Sequence, residues 1–128
     1  MTRTRTLLLS TALSAGLLWV GPATGAGETT FQGEIADSQC AMGVHSLTRS
    51  HKEMIDMGHA GSTPEDCTKY CVHSRGGRFV LLTKRDVFKL DNQEAAENYA
   101  GKKVRVTGTL DPKTNIIAVR TIEPVTAK

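Results

Sequence analysis

Residues 78–110, RFVLLTKRDVFKLDNQEAAENYAGKKVRVTGTL, hold the most regular patterning in the chain and decide its fold. Two short apolar segments, Arg78 to Thr83 and Asp86 to Leu90, flank the polar pair Lys84-Arg85. Short apolar runs around a polar turn are typical of a β-hairpin. The stretch therefore begins with two predicted antiparallel strands.

The second half of the same stretch predicts a short helix and another strand. Asp91 or Asn92 is a suitable N-cap for a helix from Gln93 to Ala100, which Gly101 ends. Lys103 to Leu110 then alternates apolar and polar side chains, as a half-buried strand does. Its apolar face carries Val104, Val106 and Leu110.

Strands are also predicted on either side. Downstream, Asp111 to Asn115 has the composition of a turn, and Ile116 to Ile122 is the last strand. Upstream, Thr30 to Asp37 alternates, and Gly33 within it indicates a bend or bulge. We therefore predict an all-β domain with a helical insertion, in the order β-β-β-α-β-β. This is the plan of a five-stranded OB-fold-like barrel, with an SH3-like barrel or a simple β-meander as the alternative.

The segment 40–77, between the first two strands, carries the soft ligands. It contains all three cysteines, all four histidines and every methionine except Met1. Leu47 to Met57 has helix-compatible spacing. A second helix is better marked, with Thr63 as N-cap, Pro64 at its first position and Gly76-Gly77 at its end. So long a segment in a small domain is seldom empty linker.

Several motifs together resemble a family of small exported bacterial proteins of unknown function. The resemblance implies an exported OB-like domain whose pattern includes the three cysteines, and it brings no activity with it. The motifs are Phe31-x-Gly33-x-Ile35-x-Asp37-Ser38-x-Cys40-Ala41, Asp66-Cys67-Thr68-x-x-Cys71-Val72, Gly76-Gly77-x-Phe79-Val80-Leu81 and Tyr99-Ala100-Gly101-Lys102-x-Val104-x-Val106-x-Gly108-Thr109-Leu110-Asp111.

The three cysteines allow a structural disulfide. Cys67 and Cys71 lie four residues apart on the predicted helix, where Cβ atoms are about 5–6 Å apart. A disulfide needs Cβ atoms about 3.5–4.5 Å apart, so Cys40 is the natural partner of either one. Such a bridge would clip the segment to the first strand and stabilise the fold by about 3–4 kcal/mol. It would leave the remaining cysteine as a single thiol.

The same cysteines also allow a metal site. Two thiolates from one helix face, Cys40 from the strand end and one imidazole make a tetrahedral Cys3His set. His45 is the best fourth ligand and His73 the reserve. Zinc would make the site structural, and a thiolate-rich set also suits Cu(I).

Two further interpretations of the segment are weaker. Met54 and Met57, beside His51 and His59, could bind copper, but methionine at this spacing is more often core filler. A thiol-redox role gains from the place of Cys67 in the first helical turn, where a thiol pKa falls. Against this role, the chain has no CxxC motif and no thioredoxin-like order of elements.

The N-terminal residues predict export. Arg3 and Arg5, an apolar run from Leu7 to Val20 and the small residues 23–26 make residues 1–26 a signal peptide. The domain is then 27–128, in a periplasmic or secreted protein without a stable membrane anchor once the signal is cleaved. An uncleaved anchor is the alternative.

Charge and motifs restrict the function. Without Arg3 and Arg5, 14 basic residues face 13 acidic ones, so the apparent +3 becomes +1, and no clustered basic surface remains for nucleic acid. No motif for acyl, phosphoryl or hydride transfer occurs. We predict a non-enzymatic binding or structural module that carries the Cys3His site, its ligand or protein partner unknown. The alternatives are a disulfide-stabilised scaffold or partner-binding module without metal, and a thiol-redox protein.

Overall fold

The computed structural model describes residues 27–42, 51–58 and 60–126, with the side chains of 51–53 left out. Within them, five strands form one mixed sheet that closes into a ring. Neighbouring strands follow the order β1-β2-β3-β5-β4, and β4 pairs back with β1. The strands are β1 (Thr29–Asp37), β2 (Phe79–Leu82), β3 (Val87–Leu90), β4 (Lys103–Asp111) and β5 (Ile116–Pro124).

The prediction of a small, β-rich, five-stranded fold is confirmed, and one alternative is wrong. A simple meander pairs only consecutive, antiparallel strands. Here β3 and β5 are parallel neighbours, joined through Lys89 opposite Ile116 and Leu90 opposite Ile117. After β3 the chain therefore passes the position of β5 to form β4, and it then returns as β5 between β3 and β4.

Four helices are described, and three of them precede β2. They are α1 (Ser38–Ala41), α2 (His51–Asp56), α3 (Pro64–Arg75) and α4 (Gln93–Glu97). The helix predicted over residues 47–57 is found as the shorter α2, and Leu47 lies outside the described residues. The helix predicted from Gln93 to Ala100 ends at Glu97. No described helix has the length and apolar character needed to cross a membrane.

β1 belongs to both halves of the barrel. Residues 29–34 of this strand pair with β4, and residues 34–37 pair with β2. Gly33 lies at the change of partner, where a Cβ atom would collide with the carbonyl oxygen of Leu82. Here the sheet coils closely enough to need a residue without a side chain. The register irregularity itself lies elsewhere, between Thr107 and Gly108 of β4.

The apolar interior has two parts. The barrel core joins side chains of the five strands and α4, including Ile35, Leu81, Val104 and Ile117, each fully buried. A second, smaller cluster lies outside the barrel, and its buried members are Ala60, Cys67 and Cys71. The sulfur atoms thus belong to a separate apolar region supported by the helices.

Candidate metal centre at three cysteines

Helix α3 presents two of the cysteines, and its ends are fixed as the sequence predicts. The Thr63 hydroxyl accepts a hydrogen bond from the Asp66 N–H, and the Asp66 carboxylate accepts one from the Thr63 N–H, both at 3.1 Å. This reciprocal capping box satisfies two N–H groups at the helix start. At the other end, Gly76 takes the left-handed conformation, with φ 74°. Between these caps, Cys67 and Cys71 share one face of the helix.

The third cysteine is placed by a tight turn at the end of β1. Asp37 is the N-cap of α1, and its Oδ1 accepts hydrogen bonds from the N–H groups of Gln39 at 3.0 Å and Cys40 at 2.8 Å. The Ser38 N–H donates to the Arg78 carbonyl oxygen at 2.8 Å, which ties the turn to the residue before β2. These bonds fix Cys40 beside the barrel end.

The three sulfur atoms converge, each within 4.8 Å of the other two. Cys67 and Cys71 are fully buried, and Cys40 is partly buried. In a tetrahedral zinc site with zinc–sulfur bonds of about 2.3 Å, the sulfur atoms lie about 3.8 Å apart. The three sulfur atoms would therefore have to move closer together by about 1 Å at most to bind one ion. The sulfur positions therefore fit a shared soft ion.

No disulfide joins any two of the three cysteines, all of which lie in the described part of the chain. The disulfide that the sequence allows from Cys40 to Cys67 or Cys71 is thus not found. Which residues act as ligands stays a prediction.

Apolar side chains surround the sulfur atoms. Ala60 is buried against Cys67 and Cys71, and Met54 and Ile55 of α2 pack on the same cluster. Met54 therefore occupies the place of a core side chain, as predicted, whereas Met57 is exposed.

Burial is the main reason that the pKa values of the three thiols are raised. It raises the pKa of Cys40 and of Cys67 above the ordinary value, and it raises the pKa of Cys71 to about 12. The negative charge of Asp37 is the second cause for all three thiols. At neutral pH the thiols are therefore protonated, and a metal ion would have to displace their protons.

Sequence reasoning missed the position of Asp37 in this site. The sequence pattern places Asp37 only at the end of the first strand, and in the structure its Oδ1 also caps α1. The side chain is nevertheless fully buried, and Oδ2 has no hydrogen-bond partner among the described residues. Asp37 does not belong to the group whose ligand atoms lie mutually within 4.8 Å. The only signal in the sequence is an acid three residues before a cysteine at a strand end, which is too common to single out.

Of the two predicted histidine ligands, the structure describes only His73, and it does not join the group of sulfur atoms. The reserve ligand His73 is exposed, and its Nε2 lies 2.8 Å from Oε1 of Glu97. The best candidate, His45, lies outside the described residues, as does His59. For His51 the structure gives the backbone alone. The fourth ligand thus stays a prediction.

One family model matches part of the chain. It is described as "Protein of unknown function (DUF5818)" and matches residues 71–125. The match takes in β2 to β5 and α4, and of the three cysteines it includes only Cys71. No curated protein and no solved structure matches the chain. The similarity to a family of unknown function carries no activity, so the function has to be argued from the sulfur site.

Proposed function

We propose that this chain is an exported, non-enzymatic OB-fold-like module whose three cysteines bind one thiophilic metal ion. The observation that carries the proposal is the convergence of Cys40, Cys67 and Cys71 to within 4.8 Å of one another. The burial of Cys67 and Cys71 is a second support, because an apolar shell around a metal site restricts the access of water to it.

The strand order supports the OB-fold part of the proposal. A partly open Greek-key barrel of five strands has the neighbours 1-2-3-5-4 and closes between strands 1 and 4. The same order is found here, with α4 between β3 and β4. The N-terminal pattern supports export, with the signal peptide in residues 1–26.

In this proposal the ion is a cross-link. It would join Cys40, next to the end of β1, to two residues of α3, and so attach the helical segment to the barrel. Zn²⁺ would do this without redox chemistry, and Cu(I) is the soft alternative. His45 is the proposed fourth ligand.

Thiol protection tests the proposal. The purified, reduced protein is titrated with Co²⁺ or Zn²⁺, and the alkylation of its three thiols is followed by mass spectrometry. We expect one ion per chain, thiolate-to-cobalt charge-transfer absorption, and slow alkylation that becomes fast when a chelator is added. Cys67→Ser and Cys71→Ser should each abolish the absorption.

The competing functions give different results. If the protein isolated from an exporting host is two hydrogens lighter and has one alkylatable thiol, it is a disulfide-stabilised or thiol-redox protein. Alkylation rates that are the same with and without metal would reject the metal proposal.

A further inference from the structure

The charge that metal binding would create at the cysteines restricts which ion they can hold. A thiol carries no charge, and a metal ion that binds it as a thiolate displaces its proton. Three thiols that bind Zn²⁺ as thiolates release three protons, and the site then carries one more negative charge than before. With Cu⁺ and three thiolates, the gain is two negative charges. Each such charge would lie in the apolar cluster formed with Ala60, Met54 and Ile55.

Asp37 makes this gain of charge more costly. Its side chain is fully buried, and Oδ1 is already used by the N–H groups of Gln39 and Cys40. Among the described residues, Oδ2 has no hydrogen-bond partner. A carboxylate held in this way cannot turn to water. It therefore repels any further negative charge at Cys40, whose backbone N–H it holds at 2.8 Å.

A trivalent ion avoids this cost, because it neutralises three thiolates completely. We propose that the preferred ligand of the site is a trivalent thiophilic metalloid taken up as its neutral hydroxide, with arsenous acid as its simplest form. We further propose that Asp37 is the residue that discriminates against ions of lower charge. The inference rests on the proposed function, in that it requires the three thiols to act as one ligand set.

The uptake step balances without any other reactant. Arsenous acid and three thiols give the tris-thiolate and three water molecules. Three As–O bonds break and three As–S bonds form, and each thiol proton leaves with a hydroxide as water. Arsenic stays trivalent and nothing is oxidised or reduced. The charge beside Asp37 is the same before and after.

The structure provides what such a ligand needs. Three sulfur atoms complete a three-coordinate pyramidal centre, and all three lie mutually within 4.8 Å. Cys40 is only partly buried, so arsenous acid can reach its sulfur atom first. Cys67 and Cys71 are fully buried and would keep water from the As–S bonds once they have formed.

Proton release separates the two kinds of ligand. The purified, reduced protein is titrated with arsenite and, separately, with Zn²⁺ in weakly buffered solution near pH 7. We expect one arsenic per chain bound through three sulfurs, as seen by X-ray absorption, with no protons released. We expect about three protons per Zn²⁺, as thiolate formation requires, and weaker binding than that of arsenite.

Removal of the carboxylate charge tests the role of Asp37. Asp37→Asn keeps an oxygen that can cap α1, because asparagine is as good an N-cap as aspartate. The variant should bind Zn²⁺ about tenfold more tightly or better, which is the effect expected of a unit charge within about 12 Å at an effective permittivity near 20. Its affinity for arsenite should be unchanged.

Matched variants control for folding and for overall charge. Asp86→Asn removes the same charge from the exposed β2–β3 turn, at the opposite end of β2 from Asp37, and should change neither affinity. Asp37→Ser keeps the cap without the charge and replaces Asp37→Asn if that variant does not fold by circular dichroism.

The outcomes distinguish this inference from the proposed function. If the protein binds Zn²⁺ but not arsenite, or binds Zn²⁺ more weakly once Asp37 is neutral, the inference is wrong and the metal site stands. If it binds neither, both are wrong.

Discussion

The buried thiols make the stability of the metal-free protein depend on pH. The pKa of Cys71 is raised from 9.0 to about 12, first by burial and then by the charge of Asp37. Cys40 and Cys67 shift in the same direction. Between pH 9.0 and about pH 12, Cys71 of the folded state keeps a proton that the unfolded state has lost. Proton binding is thus greater in the folded state, and stability must fall as pH rises.

We therefore expect the reduced, metal-free protein to have constant thiol-linked stability below about pH 8.5 and to lose it progressively as pH rises above that value. The loss should be absent from a metal-loaded sample, in which the thiolates no longer titrate. Urea unfolding at a series of pH values measures both. A triple variant with serine at positions 40, 67 and 71 is the control, and an equal loss in that variant would assign the effect to other groups.

At the same scale, Asp37 shows what a residue-by-residue interpretation of the sequence can miss. The cap role was predictable, because aspartate at a strand end before a short helix is a common pattern. The unpartnered oxygen was not, because it depends on how α3 and β1 pack around the side chain. Burial of one carboxylate atom is a property of the tertiary structure.

At the scale of elements, the placement of α3 depends on one close contact. Gly101, in the turn before β4, has φ 70°, and a Cβ atom there would lie 2.5 Å from the Glu65 nitrogen and 2.6 Å from the Pro64 carbonyl carbon. The first turn of α3 therefore rests directly on the backbone of the barrel. The same turn carries Cys67 one residue after Asp66.

We expect Gly101→Ala to destabilise the protein by about 1–2 kcal/mol through the left-handed backbone and by about 1–3 kcal/mol more through the collision. Gly76→Ala is the matched control, because Gly76 has φ 74° and nothing within 4 Å of its added Cβ. Chemical unfolding of both variants isolates the contact as the difference between them. Equal losses would mean that α3 does not need this contact.

The elements that could be predicted well are those whose ends are set by residues close by in the sequence. α3 was predicted correctly from Thr63, Pro64 and Gly76, because caps act within a few residues. α4 was predicted three residues too long. Residues 98–101 form a turn instead, in which Ala100 bridges to Ile35 and the Gly101 N–H donates to the Ile35 carbonyl oxygen at 2.7 Å. A tertiary hydrogen bond thus ends the helix earlier than the local sequence indicates.

At the scale of the whole molecule, the strands were predictable and their closure much less so. Alternation of apolar and polar side chains locates β1 and β4, and β5 was located by the turn that precedes it. The parallel pairing of β3 with β5 follows from no local feature. The pairing itself was not predicted, although the predicted order of elements is compatible with it. Likewise, the order of elements brings the cysteines to the same end of the barrel, but only packing brings their sulfur atoms within 4.8 Å.

The two apolar regions are joined, so an ion at the cysteines should stabilise the entire domain. Val72 packs against the barrel core, while its neighbour Cys71 belongs to the helical cluster. β1 likewise contributes Ile35 to the barrel core and leads through Asp37 to Cys40. A ligand at a hundred times its dissociation constant adds about 2.7 kcal/mol to the stability of the state that binds it. For a domain of this size we expect the melting temperature to rise by about 10 °C or more.

Hydrogen exchange shows how far that stabilisation extends. If unfolding is cooperative, the bound ion slows exchange in β4 and β5 by the same factor as in α3, because all of them open only with the whole molecule. The measurement compares the reduced protein with and without the saturating ion, and the triple serine variant serves as the control that cannot respond. Slower exchange confined to α1 and α3 would mean that the helical segment opens independently of the barrel. The ion would then stabilise that segment alone, and the melting temperature of the barrel would not change.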